Sequence, residues 1–206
     1  MNKILYLWDL AGTLFPEKWN KELTHFDSYE EYIKLKGVDN ATEPRKFEEG
    51  YEEVYKLGNY FNLQTAKGFK EVLSLTKNNE AFSTGLAECM DWRAEYLNPK
   101  VGFNIRSFFQ KINSTFDYGE TNVKTEAMLV DYLSKKVLEG YDTVVYTDDK
   151  FADGVFFKNA AETVKAKNPD FSYRFYHILN DEGGARPKDW YCEIGGLMYI
   201  LKIEKV

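Results

Sequence analysis

Carboxylates recur where apolar runs stop. The stretch ILYLWDLAGTLF, residues 4–15, runs apolar up to Asp9 and then turns at once through Gly12. A second run, DTVVYT, ends in Asp148 and Asp149, and Asp153 follows four residues after Asp149. Brought to one place, Asp9 and Asp149 offer the hard oxygen ligands that magnesium takes beside water and phosphate oxygens. Asp153, at the start of a helix, would point back toward the same place or cap that helix. Lys124 would neutralise a phosphate, and Ser83 or Thr84 would donate a hydroxyl to it. The chemistry these residue types suit is phosphoryl transfer assisted by a divalent cation.

The elements that must position them read as alternating strands and helices. Residues 3–8 form a short buried strand, and brief strands are expected at 80–84, 111–116 and 142–147. Between them LAECMDWRAEYL, TEAMLVDYLSKKVLEG and FADGVFFKNAAETVKAKN have helical period, the second closed by Gly140. SYRFYHIL (172–179) and EIGGLMYILKI (193–203) read as a terminal hairpin or two sheet strands around the loop NDEGGARPKDW. Such alternation predicts a parallel sheet with helices on both faces, whose ligands lie at the carboxyl ends of the strands. Asp9, Thr84, Asp148 and Asp149 all fall just past expected strand ends.

Residues 16–78 differ in character: polar, acidic and helical in period. Pro16 suits the first turn of a helix, and Ser28 with Glu31 makes a capping-box pattern. Trp19, Phe26, Tyr29, Tyr32, Tyr51, Tyr55 and Tyr60 supply the packing of a segment that has few aliphatics.

The four acidic, hydroxyl and lysine sites, taken together and in order, resemble the haloacid dehalogenase superfamily of Asp-nucleophile hydrolases. Asp9-Leu10-Ala11-Gly12-Thr13 matches its first motif, Asp-x-Asp-x-Thr, except at Ala11. FSTG matches the second at Ser83-Thr84, NVKTEAML the third at Lys124, and VVYTDDKFADG the fourth at Asp148, Asp149 and Asp153. The resemblance spans residues 1–15 and 80–165. It implies an α/β fold, a three-layer Rossmann-like parallel sheet core (1–15 and 79–206) with a small all-helical cap (16–78) inserted after the first strand.

What the resemblance implies for chemistry is a covalent aspartyl intermediate on Asp9. Thr84, with Ser83 as its alternative, and Lys124 complete the catalytic set. Mg2+ is held by Asp9, the Ala11 carbonyl, Asp149 and Asp153, with Asp148 as a supporting or capping neighbour. Gly12, Thr13, Ser83 and Gly85 are expected to face the substrate, and Gly12 lets the backbone turn closely round it.

Ala11 departs from the phosphatase pattern. Its methyl cannot protonate a leaving oxygen or activate water, help worth about 10²–10⁴-fold. Three readings follow. A phosphatase or phosphotransferase would take its acid from elsewhere, such as His25, Glu17 or a cap tyrosine, or act on a good leaving group such as an acyl phosphate. A phosphonoacetaldehyde hydrolase-like enzyme, whose first motif also reads Asp-x-Ala-Gly-Thr, would form a Schiff base on a cap lysine: Lys18, Lys21, Lys34, Lys36, Lys46 or Lys56. A catalytically impaired member would bind a phosphorylated ligand or a partner.

Simpler roles compete. Asp9 alone would be a helix N-cap, Thr84 and Ser83 turn residues, and His25 and His177 isolated polar side chains. Lys111 falls in or before a strand and is expected to face solvent. With a net charge of −6 and no basic stripe, nucleic-acid binding is not expected. The opening run is too short to span a membrane or serve as a signal segment, and Cys89 and Cys192 read as free thiols. The expected setting is cytoplasmic, with a small phosphorylated substrate, in a monomer or homodimer.

Overall fold

The computed structural model describes residues 3–181 and 183–205. Residues 1, 2 and 206, at the ends of the expected core segments, and Glu182 in the loop NDEGGARPKDW lie outside the described residues.

In chain order the first elements are β1 (Ile4–Trp8), β2 (Glu17–Trp19), α1 (Lys21–Thr24), α2 (Tyr29–Leu35), α3 (Pro44–Leu57), β3 (Phe61–Leu63) and α4 (Phe69–Leu75). There follow β4 (Asn79–Ser83), α5 (Glu88–Val101), β5 (Lys111–Ser114), α6 (Glu126–Leu138), β6 (Thr143–Asp148) and α7 (Phe151–Lys167). The chain closes with β7 (Ser172–Ile178), β8 (Ala185–Pro187), β9 (Cys192–Ile194) and α8 (Met198–Glu204).

Seven strands form one sheet in the order β5-β4-β1-β6-β7-β9-β8. All pairings are parallel except β8 with β9. The period-2 geometry of a strand splits β1 between two faces. Leu5 and Leu7 point into a cluster with Leu129 and Leu133 of α6 and Phe157 and Val164 of α7. Tyr6 and Trp8 point the other way, into a cluster with Val72 and Leu73 of α4, Met90 and Leu97 of α5, and Ile200 of α8. Leu5 and Leu7 are wholly buried, each worth about 1.5–3 kcal/mol. The result is the three-layer, Rossmann-like α/β architecture expected from the alternation.

Two expectations need correction. The segment between β1 and α4 is not wholly helical, because Glu17, Lys18 and Trp19 pair antiparallel with Leu63, Asn62 and Phe61. Pro16 therefore leads into a strand, not a helix; the short alternation of buried Phe61, exposed Asn62 and buried Leu63 is strand-like. Beyond this ribbon the two chain ends stay joined, with Gln64 N–H donating to the Pro16 carbonyl (3.3 Å) and Ala66 N–H to that of Leu14 (2.9 Å). Second, SYRFYHIL and the last apolar run make no hairpin. β7 and β9 are parallel, and after Gly195-Gly196 the run becomes helix α8. A short apolar run does not by itself separate strand from buried helix.

Ser28 caps α2 as its pattern predicts, its hydroxyl accepting from Glu31 N–H at 3.2 Å. Cys89 and Cys192 are both free thiols. Among the described residues no helix is long and apolar enough to cross a membrane.

Candidate active site

Because β4, β1 and β6 are adjacent and parallel, their carboxyl ends share one edge. Trp8 stands in register with Ala81 on one side and Thr147 on the other. Asp9 N–H donates to the Thr147 carbonyl at 2.9 Å, which places Asp9 beside Asp148. The chain then doubles back: Phe15 N–H and Leu14 N–H both donate to the Leu10 carbonyl, and Gly12 N–H to that of Phe15. Gly12 sits in the left-handed region at φ +80°, and a Cβ there would lie 2.3 Å from Asp149 Oδ2. Only glycine lets this turn pass so close to the carboxylate.

Lys124 is the centre of the arrangement. It precedes Thr125, the N-cap of α6, and is buried to 1% exposure. Its Nζ donates to Asp9 Oδ1 (2.6 Å), Asp148 Oδ2 (2.7 Å) and the Tyr146 hydroxyl (2.8 Å), and lies 3.3 Å from Asp153 Oδ2. Burial pulls the Lys124 ammonium down, but the carboxylates of Asp148 and Asp9 outweigh it and hold it well above its usual value. Burial pushes the Asp9 carboxyl up to about 7, opposed by Lys124 and reinforced by Asp148 and Asp149. Asp149 is raised too, first by burial and then by Asp148.

One carboxylate oxygen each from Asp9, Asp148 and Asp149 can be chosen so that all lie within 4.8 Å of one another. Asp9, Asp148 and Asp153 face a single buried ammonium, and Asp149 adds a fourth carboxylate beside Asp9 and Asp148, an excess of negative charge in a low-dielectric place. An all-oxygen, net-negative donor set suits magnesium. Asp148 does more than its neighbour role suggested: its Oδ2 also accepts from the Tyr146 hydroxyl, and its Oδ1 accepts from Lys150 N–H at 2.7 Å. Asp153 is not the cap of α7, since Lys150 holds that position; it lies in the first turn, facing Lys124.

The remaining expected residues fall into two groups. Ser83 is buried at the end of β4 and its hydroxyl accepts from Gly85 N–H at 3.1 Å, while Thr84 is half-buried just beyond. Their loop is pinned from β5: Ser114 donates to the Gly85 carbonyl (2.7 Å), and the Thr115 hydroxyl lies against the carbonyls of Thr84 (2.8 Å) and Thr121 (2.6 Å). Thr13, expected to face the substrate, is instead fully buried with its hydroxyl engaged by Asp149 on both sides. Ala11 is half-buried, bridged to Phe15 across the turn.

The acid substitutes named from the sequence stand elsewhere. His25 is exposed and ends α1 in the left-handed region. Glu17 accepts from the Tyr55 hydroxyl (2.8 Å) and lies 3.4 Å from buried Arg93. All six candidate lysines are exposed, and Lys21, Lys36, Lys46 and Lys56 pair with Asp27, Glu53, Glu43 and Glu52. None of them is the desolvated amine that a Schiff base requires. Sequence reasoning missed Tyr146 and Asn180, which donates to the Gly12 carbonyl at 2.7 Å; His177, read as an isolated polar side chain, has its Nε2 3.0 Å from the Asp149 carbonyl. It also missed Glu48, a charged residue on the buried stripe of α3.

No family model and no curated protein matches the chain. Among solved structures it is similar to the magnesium complex of a HAD family enzyme from Bacteroides thetaiotaomicron, at 16% identity and a TM-score of 0.49, over 85% of this chain and 93% of that one.

Proposed function

We propose that this chain is a magnesium-dependent hydrolase or phosphotransferase of haloacid dehalogenase type, acting on a small phosphorylated metabolite through an aspartyl phosphate on Asp9. The observation that supports it most directly is the meeting of Asp9, Asp148 and Asp149 at the carboxyl edge of the sheet, with buried Lys124 donating to the first two. Residues 16–63 act as the cap over that edge.

Asp9, Asp149 and the Ala11 carbonyl would hold the ion, with Asp148 beside them. When bound, it would offset the charge on the transferring phosphoryl group. Lys124 fixes the Asp9 carboxylate through Oδ1 and leaves Oδ2 to attack phosphorus. Thr84 and the main chain around Gly85 receive the phosphoryl oxygens, on a loop that Ser114 and Thr115 hold still.

Intact mass after incubation with magnesium and acetyl phosphate tests this, comparing wild type with Asp9→Asn. Wild type is expected to carry a phosphoryl adduct or release phosphate, and Asp9→Asn to do neither while keeping its melting temperature. Neither signal from wild type, or full activity in the variant, would overturn the reading.

A further inference from the structure

Expelling an alkoxide from phosphorus requires a proton, and position 11 ends in a methyl group. A carboxylate of α3 lies over the loop that follows β4, at the same edge of the sheet. Glu48 sits on the α3 stripe formed by Phe47, Val54 and Tyr55, and is 7% exposed. Its Oε1 accepts from Asn122 Nδ2 at 3.1 Å, two residues before Lys124. Asn122 also donates to Asn40 (2.7 Å), and Arg45 of α3 forks onto Glu120, so this end of α3 is docked on the loop that delivers Lys124.

The other oxygen, Oε2, accepts no hydrogen bond among the described residues. It lies over Gly85, where a Cβ would stand 2.7 Å from it. Gly85 belongs to the loop after β4, directly beyond Ser83 and Thr84. The charged groups around Glu48 come from three elements: Glu17 of β2, Arg93 of α5 and Lys150 between β6 and α7. Arg93 is taken by Glu17, and Glu48 has no salt bridge among the described residues. Burial pushes the carboxyl up to about 7, against the Asn122 hydrogen bond and Arg93. Anchoring α3 to Asn122 accounts for Oε1 alone, and a glutamine would do that without burying an acid. A free, buried carboxyl that changes charge near neutral pH matches the demand on a general acid that must later serve as base.

We infer that Glu48 is the general acid and base of the reaction proposed above, supplying from the cap the proton transfer that Ala11 cannot. The inference rests on the aspartyl-phosphate reading. As Asp9 Oδ2 bonds to phosphorus, the bond from phosphorus to the leaving oxygen breaks, and protonated Glu48 gives that oxygen its proton. In the second step water bonds to phosphorus and loses a proton to the Glu48 carboxylate. The phosphorus–Asp9 bond breaks, phosphate leaves, and Asp9 and protonated Glu48 are restored.

The two steps can be separated by leaving group. Acetate departs from acetyl phosphate without a proton, so Glu48→Gln is expected to load Asp9 at the wild-type rate. The adduct should then decay about 10²–10⁴-fold more slowly, read by intact mass, and phenyl phosphate turnover should fall by a similar factor. Glu48→Met, which keeps a long side chain on the buried stripe of α3 and removes the carboxyl, carries the same expectation should Glu48→Gln not fold. An adduct that decays as fast in Glu48→Gln as in wild type, or one that never forms in a folded variant, would overturn the role. Loss of both adduct and phosphate release in wild type would instead remove the aspartyl-phosphate reading and this inference with it.

Discussion

Thr13 and Asp149 hold each other in both directions: the Thr13 hydroxyl accepts from Asp149 N–H at 2.9 Å and donates to its Oδ1 at 3.1 Å. The carboxylate proposed to hold the ion is thus aimed by a residue on the neighbouring strand's loop, 136 positions away in the chain. Thr13→Val keeps the shape and removes both bonds. Magnesium affinity, measured by calorimetric titration, should fall about 10–100-fold. The Asp149 N–H left without an acceptor should cost about 1–3 kcal/mol in urea unfolding.

Lys124 is the buried cation on which Asp9, Asp148 and Asp153 converge. Lys124→Met leaves those carboxylates buried without it. In the absence of magnesium the protein should lose about 3–5 kcal/mol of stability. Melting curves with and without magnesium should show a larger rise for the variant than for wild type, since the ion takes over part of the neutralisation.

Glu48 should leave a signature in stability as well as in rate. Its carboxyl titrates near 4.5 when unfolded and at about 7 when folded. Between these values the folded state keeps a proton the unfolded state has released, so stability falls as pH rises through that window. The contribution is up to about 3 kcal/mol. Glu48→Gln should be flatter than wild type in denaturant unfolding between pH 4.5 and 8, and it should gain stability at the alkaline end.

A carboxylate restored at position 11 should make Glu48 dispensable. Ala11→Asp placed in the Glu48→Gln background is expected to raise phenyl phosphate turnover at least about 10-fold over Glu48→Gln alone. Steady-state kinetics on the double variant, beside Ala11→Asp by itself, would measure how far one acid substitutes for the other.

Much of the sheet was legible because buried parallel strands read as unbroken apolar runs, and β1 and β6 both stop at acids. Lys124 was legible for a similar reason: it stands directly before a helix cap. Roles decided by contact between distant loops were not. Nothing near Tyr146 in sequence says that its hydroxyl meets Lys124, and nothing near Thr13 says that its hydroxyl faces Asp149. Glu48 hides among neighbouring glutamates; only its phase with Phe47, Val54 and Tyr55 marks it as inward. The β2–β3 ribbon joins residues about forty positions apart, a pairing that three-residue strands cannot announce.

That ribbon also sets how the molecule can vary. Paired at Trp19 and Phe61, it offers the sheet two chain ends one strand spacing apart, about 4.8 Å. Whatever lies between them closes a loop whose ends are already fixed, and doubling its length costs only about 0.6 kcal/mol. Residues 20–60 can therefore be lengthened, shortened or exchanged for another module while β1, β4 and β6 keep their register, provided the new module covers α5 and the Asn122 loop as α3 does. Glu48 travels inside that module. An exchange would replace the covering of the strand edge and the proposed acid in a single event, so the cap and its proton transfer would be inherited together.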